Sequence, residues 1–103
     1  MKTYVGVREG NQTTVTVNGE PLDPRLDLAN KSPRGFEWGY LGSGPAQLAL
    51  AILADHLEDD RKAQRLFQRF KEHVIAPIQE DAWSMDSREI DRVLAEINAQ
   101  SMR

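Results

Sequence analysis

Apolar and polar positions alternate twice near the start of the chain. Thr3, Val5 and Val7 fall on one face of the first run, and Tyr4, Gly6 and Arg8 on the other. A period of two is the mark of a strand. Thr13 to Val17 is β-branched throughout, with Thr13, Val15 and Val17 on one side and Thr14 and Thr16 on the other, again a strand. Glu9-Gly10-Asn11-Gln12 between them reads as a turn, because Gly and Asn accept positive φ. These runs predict a hairpin. Asn18-Gly19 reverses the chain once more, and Pro21 confines Glu20-Pro21-Leu22 to a sheet edge. A third alternation, Phe36, Trp38 and Tyr40, predicts a third strand with its aromatics on one face.

Beyond it the period changes. Gly42 to Pro45 reads as a turn into a helix, with Pro45 suited to the first helical turn and Gln47 placed to cap it. Ala46 to Leu57 has only Gln47, Asp55 and His56 as polar residues, and a helix so apolar on every side belongs at the centre of a fold. Glu58-Asp59-Asp60 ends that helix and caps the next. There Ala63, Leu66, Phe67, Phe70 and Val74 form an amphipathic stripe, with Arg61, Lys62, Arg65, Arg69 and Lys71 on the other faces. Pro77 disturbs or ends it, and Ile75, Ile78 and Trp83 are expected to fold back on the core. A last helix follows a capping box, Asp86 with Glu89. Met85 and Ile90 are spaced as a hydrophobic staple, Ile90, Val93, Leu94 and Ile97 form its stripe, and Ser101–Arg103 are expected to fray. Asp23 to Arg34, with Pro24 and Pro33, is the one irregular stretch. Leu26 and Leu28 are its expected anchors, with a short helical turn at Arg25–Leu28 as the alternative.

Strands first and helices after predict an α+β fold. It has a three-stranded antiparallel sheet, the N-terminal hairpin plus a third strand, followed by and packed on three α-helices. At 103 residues the chain is read as a single domain, 1–103. A net charge of −3 argues against direct nucleic-acid binding, which goes with a basic excess. The lack of cysteine rules out disulfides and thiolate metal sites and favours a cytoplasmic location. The first residues lack the apolar run of a secretory signal. Leu48–Ala54 is too short to span a bilayer, so no membrane partner is expected.

The string Gly35-Phe36-Glu37-Trp38-Gly39-Tyr40, then Gly42-Ser43-Gly44-Pro45-Ala46-Gln47-Leu48-Ala49-Leu50-Ala51, resembles the core motif of a family of small prokaryotic, archaeal and phage proteins catalogued as a domain of unknown function. Ser32-Pro33, the V-T-V-N-G hairpin edge, Phe70 to Ala76 and Trp83 extend the resemblance over most of the chain. Glycine is common in that family where this chain has Leu41, so the turn here is less open. The resemblance transfers no catalytic residue. It implies a context of phages, plasmids and integrated elements.

Gly42, Ser43 and Gly44 at a helix N-terminus are a candidate anion site, since exposed N–H groups and the helix dipole favour phosphate. A Walker lysine and a dinucleotide fingerprint are both absent, and a tight capping turn explains the same residues. Ser43 lies in L-G-S-G-P rather than G-x-S-x-G and lacks a recognisable His-Asp set, so no catalytic residue is assigned. His56 and His73 are the only histidines. Asp55-His56 with Asp59 and Asp60 matches no metal-ligand spacing, so neither a metal nor another cofactor is expected. Trp38, Tyr40 and Trp83 are candidates for base stacking, yet basic residues are not interleaved with them and core packing accounts for them.

Charge is more informative. Residues 1–54 balance, and the whole negative excess lies in 55–103. Asp55, Glu58, Asp59 and Asp60 form one acidic group, and Glu80, Asp81, Asp86 and Glu89 belong to a second. Such groups serve helix ends, and they also suit contact with a basic surface of another protein. The expectation is a non-enzymatic binding protein of a phage or mobile element, inhibiting a host defence system. In its sharpest form it is anti-CRISPR-like, a DNA mimic that occupies the nucleic-acid-binding surface of a CRISPR effector, and it is a monomer or weak dimer. The alternative is a ligand- or nucleic-acid-binding module using the Gly-Ser-Gly turn and the basic stripe.

Overall fold

The computed structural model describes residues 1–32 and 35–101. Its strands are β1 Thr3–Glu9, β2 Gln12–Val17, β3 Glu20–Pro21 and β4 Ala82–Asp86, and its helices α1 Ser43–Leu57, α2 Asp60–Phe70 and α3 Ser87–Ser101. The class is α+β, as the two periods predict. The strands form one antiparallel sheet in the order β3-β2-β1-β4. Glu9 faces Gln12 across a two-residue turn in which Gly10 takes φ 60°, the demand of a hairpin with glycine at its first central position. Asn18 and Gly19 both adopt positive φ, 49° and 84°, and turn β2 into β3. That edge piece lies where Pro21 suggested.

The sheet has four strands rather than three, and the predicted third strand is not one of them. Among the described residues, Phe36–Tyr40 pairs with no strand. Trp38 is buried while Tyr40 is half exposed. Gly39, at φ 89°, turns the chain inside the alternation, and its N–H bonds Ile75 O at 3.1 Å. β4 is the additional strand, placing Trp83 opposite Gly6 and Met85 opposite Tyr4 on β1. The order is therefore β-β-β-α-α-β-α.

α1 is the centre. Every residue from Gly44 to Ala54 is buried, as its apolar run requires. Tyr4 and Val15 from the sheet, Phe67 and Phe70 from α2, and Ile90 and Ile97 from α3 join it in one core. Gln47 is not a cap. It is fully buried and serves the irregular stretch: its side-chain oxygen accepts from Lys31 N–H at 2.7 Å and Ser32 N–H at 3.0 Å, and its amide donates to Pro24 O at 2.6 Å and Ala29 O at 3.1 Å. That stretch contains the short turn at Arg25–Leu28 (Leu28 N–H to Arg25 O, 3.0 Å). Leu28 packs on the core and Leu26 is exposed.

Asp59 caps α2 by accepting from Lys62 N–H. The helix then widens into a π-turn at Lys71–Ile75, closed by Ala76 N–H to Lys71 O at 2.9 Å. One extra residue in the turn moves the stripe, so that Ile75 is fully buried and Val74 only half. α3 opens with the predicted capping box: Glu89 N–H to Asp86 Oδ1 at 2.9 Å, and Asp86 N–H to Glu89 Oε1 at 3.3 Å. The staple partners Met85 and Ile90 are both buried. Ser101 is the last residue of the helix. The readings on Pro33, Met102 and Arg103 lie outside the described residues.

Candidate functional site

α2 follows α1 almost at once, so the C-terminal end of α1 and the start of α2 form one corner. Asp55 there accepts from Tyr4 Oη at 2.7 Å and from Lys2 Nζ at 3.1 Å. Glu58, at φ 51°, closes α1 in the left-handed region. Asp60 takes two bonds from the Arg25 guanidinium, at 3.1 and 3.0 Å. Lys2 also ties this corner to α3, exchanging bonds between its main chain and Ser87. The start of α3, with the Asp86–Glu89 box, is joined to this corner through Lys2, although Glu89 lines a different cavity, with Val74, Ile78 and Val93. Four of the eight acids singled out by charge, Asp55, Glu58, Asp59 and Asp60, thus share this corner. Among them is a polar cavity of about 320 Å³ lined by Lys2, Asp23, Arg25, Asp55, Glu58 and Asp60.

Asp55 and Asp60 are each paired with a base at this end. Burial, then the hydrogen bond to Asp55, push the Tyr4 phenol well above the ordinary tyrosine range. Hydrogen bonds to Asp27 and Asp60 raise Arg25, and the bond from Arg25 holds Asp27 below the usual carboxylate range.

The structure does not bring Glu80 and Asp81 to this end. They lie at the far end of β1, roughly 20 Å away at about 3.3 Å per strand residue. There Asp81 accepts from Arg8 Nη1 at 3.0 Å, and Arg8 Nη2 reaches Glu37 Oε1 at 2.6 Å and Trp38 O at 3.3 Å. Those two ion pairs raise the Arg8 pKa. The same guanidinium covers the Trp38 ring at 4.7 Å, while the Trp38 indole N–H donates to Glu80 O at 2.9 Å. Trp38 is thus a buried anchor and not a stacking platform. Trp83 meets it edge to face at 5.5 Å, and Tyr40 is half exposed with its ring against Gly42.

The Gly42–Gly44 turn opens α1 with no side-chain cap and no acid in the first turn. It borders a polar cleft of about 570 Å³ shared with Gln12, Thr13 and Thr14 of β2. Glu37 lies in this cleft and presses on Gly44, where an added Cβ would come within 2.7 Å of the Glu37 Cβ. Close approach thus explains this glycine, and the nearby carboxylate disfavours an anion. Ser43 is exposed and has no histidine in its cleft. The Asp55, His56, Asp59 and Asp60 set is spread over separate partners, with His56 Nε2 on Asp91 at 2.7 Å. No group of three or more His, Cys, Asp or Glu among the described residues is placed to hold a metal ion, and no described helix is long and apolar enough to cross a membrane.

Two functional features escaped the sequence reading. One is the pinning of the 23–32 stretch by Gln47, signalled only by a lone amide in an apolar helix. The other is the free edge of β4 with an apolar groove beside it (Phe70, Val74, Ile78, Trp83, Met85, Val93; about 160 Å³). That groove depends on a strand the local pattern does not announce.

Comparison with curated proteins and with solved structures finds no match. A family model matches residues 4–96, from β1 into α3, and so takes in the hairpin, the glycine-rich turn and both acidic groups. The chain belongs to DUF6166, a family of unknown function.

Proposed function

We propose that the chain is a non-enzymatic binding protein that acts through its acidic end on a basic surface of another protein. The observation that carries this reading is the clustering of Asp55, Glu58, Asp59 and Asp60 at the corner of α1 and α2. A helix cap on Asp59 and ion pairs on Asp55 and Asp60 hold three of these side chains there, so little of their rotamer entropy is left to lose on binding. A rigid acidic surface of this kind suits a surface built for phosphates. The sharpest form is a phage or mobile-element inhibitor that competes with DNA on a CRISPR effector in the cytoplasm.

The test uses a purified guide-loaded effector and the labelled protein, read by anisotropy. Binding is expected to weaken as salt rises and to be displaced by target duplex DNA. Glu58→Lys with Asp60→Lys is expected to weaken it by about tenfold or more, while Glu80→Lys, at the far end, leaves it within about twofold. Binding that survives the double reversal, or is indifferent to DNA, removes the reading. A second reading rests on the uncapped start of α1 and its polar cleft. A ligand module there predicts that inorganic phosphate shifts the Ser43 and Gly44 amides and leaves Glu58 and Asp60 unmoved.

A further inference from the structure

We propose that the free edge of β4 takes an extended, positively charged segment of a partner protein as a fifth strand. The argument starts from hydrogen-bond phase. Arg8 N–H bonds Asp81 O, and Ser87 N–H bonds Lys2 O. With the register of β1 on β4, this turns the main-chain groups of Asp81, Trp83, Met85 and Ser87 toward β1. Those of Ala82, Ser84 and Asp86 point the other way, where no strand lies, because β4 ends the sheet order. Glu89 occupies the Asp86 N–H. Ala82 and Ser84 are both exposed, and each offers a donor and an acceptor with no partner among the described residues. This is the template that strand addition uses.

The groove beside that edge supplies side-chain recognition. Its apolar walls come from Val74, Ile78 and Val93 on one side and Trp83 and Met85 on the other. Ser84 also contributes to it, so the groove opens onto the free edge. A strand laid along Ala82–Asp86 sends alternate side chains to opposite faces, and those on the groove face find an apolar seat. Charge selects the occupant. Glu89 borders the groove, Asp86 stands at one end of the strand, and Asp81, 76% exposed at its side chain, at the other. A second copy of this chain would bring the same acids against them, whereas a segment with Lys or Arg between its apolar residues meets opposite charge. This inference is separate from the reading above, which uses the Glu58 and Asp60 corner.

The probe is a blocked peptide alternating Lys and Val, titrated into the isotope-labelled full chain, with a Glu/Val peptide as its counterpart. Amide shifts and hydrogen-exchange protection are expected at Ala82 and Ser84, with side-chain shifts at Val74 and Val93. The Glu/Val peptide is expected to bind at least about tenfold more weakly. Ser84→Pro removes the outward N–H and leaves the β1 pairing intact, and proline is tolerated on such an edge. It is expected to weaken the Lys/Val peptide by about tenfold or more with an unchanged circular dichroism spectrum. Should that variant not fold, Val93→Asp, which charges the groove and leaves the edge alone, is expected to do the same. Absence of shifts at millimolar peptide, shifts centred elsewhere, or equal binding of the two peptides overturns the proposal. So does protection of Ala82 and Ser84 that grows with protein concentration alone, which marks a second copy as the occupant.

Discussion

Gln47 shows how one side chain can carry a segment. It is a polar residue fully buried in α1, and its amide meets four main-chain groups of the 23–32 stretch. Gln47→Leu keeps the bulk and removes every partner. An unpaired buried group costs about 1–3 kcal/mol, and detachment of the stretch limits the total. A loss of about 3 kcal/mol is expected, lowering Tm by about 10 °C or more, with faster exchange at the Lys31 and Ser32 amides. A Tm within about 2 °C of the parent, by the same scaling, contradicts this account. Tyr4 gives a pH signature. Its folded pKa lies above the ordinary value of about 10, so its contribution is complete below that value and is lost as pH climbs through the folded one. Tm is expected to fall as pH rises past about 10. Tyr4→Phe flattens that fall, while costing about 2 kcal/mol at neutral pH because Asp55 loses a donor. Thermal melts across the alkaline range read both.

At the level of elements, the contact between β1 and β4 turns on a single glycine. Gly6 lies under the indole of Trp83, and a Cβ there would occupy the ring's own space. Gly6→Val is therefore expected to cost about 1–3 kcal/mol. It should also shift tryptophan emission to the red as Trp83 leaves its contact with Trp38. Adding Trp83→Ala to Gly6→Val should give less than the sum of the two losses, since the clash is removed with the ring. Additive losses would show that the ring does not rest on Gly6. The pairing also explains what the sequence hides. The hairpin, α1, the caps Asp59 and Asp86 and the Asp86–Glu89 box rest on neighbours within a few residues, and all were legible. β4 holds only Trp83 and Met85 as an apolar alternation. Its partner is at the other end of the chain, Asp86 against Thr3, and local pattern carries no such pairing. Phe36, Trp38 and Tyr40 misled for the converse reason: an alternation predicts a strand only where a partner edge is free, and Gly39 turns the chain first.

In the molecule as a whole, the acids are readable one by one as caps, and their convergence is not. It requires α1 and α2 to meet at a corner, with Lys2 and Arg25 brought there from far along the chain. The placing of four acids at one corner of a body of 42 × 26 × 25 Å is thus a product of topology. The π-turn at Lys71–Ile75 has a consequence of its own. In an unbroken α-helix one surplus residue rotates everything after it by about 100°. Here the wide turn absorbs the surplus. Ile75 still reaches the core, its carbonyl still receives Gly39 N–H, and β4 arrives in register. Deleting one residue between Phe70 and Ile75 is therefore expected to turn the wide turn into ordinary α-helix and leave β4 in register.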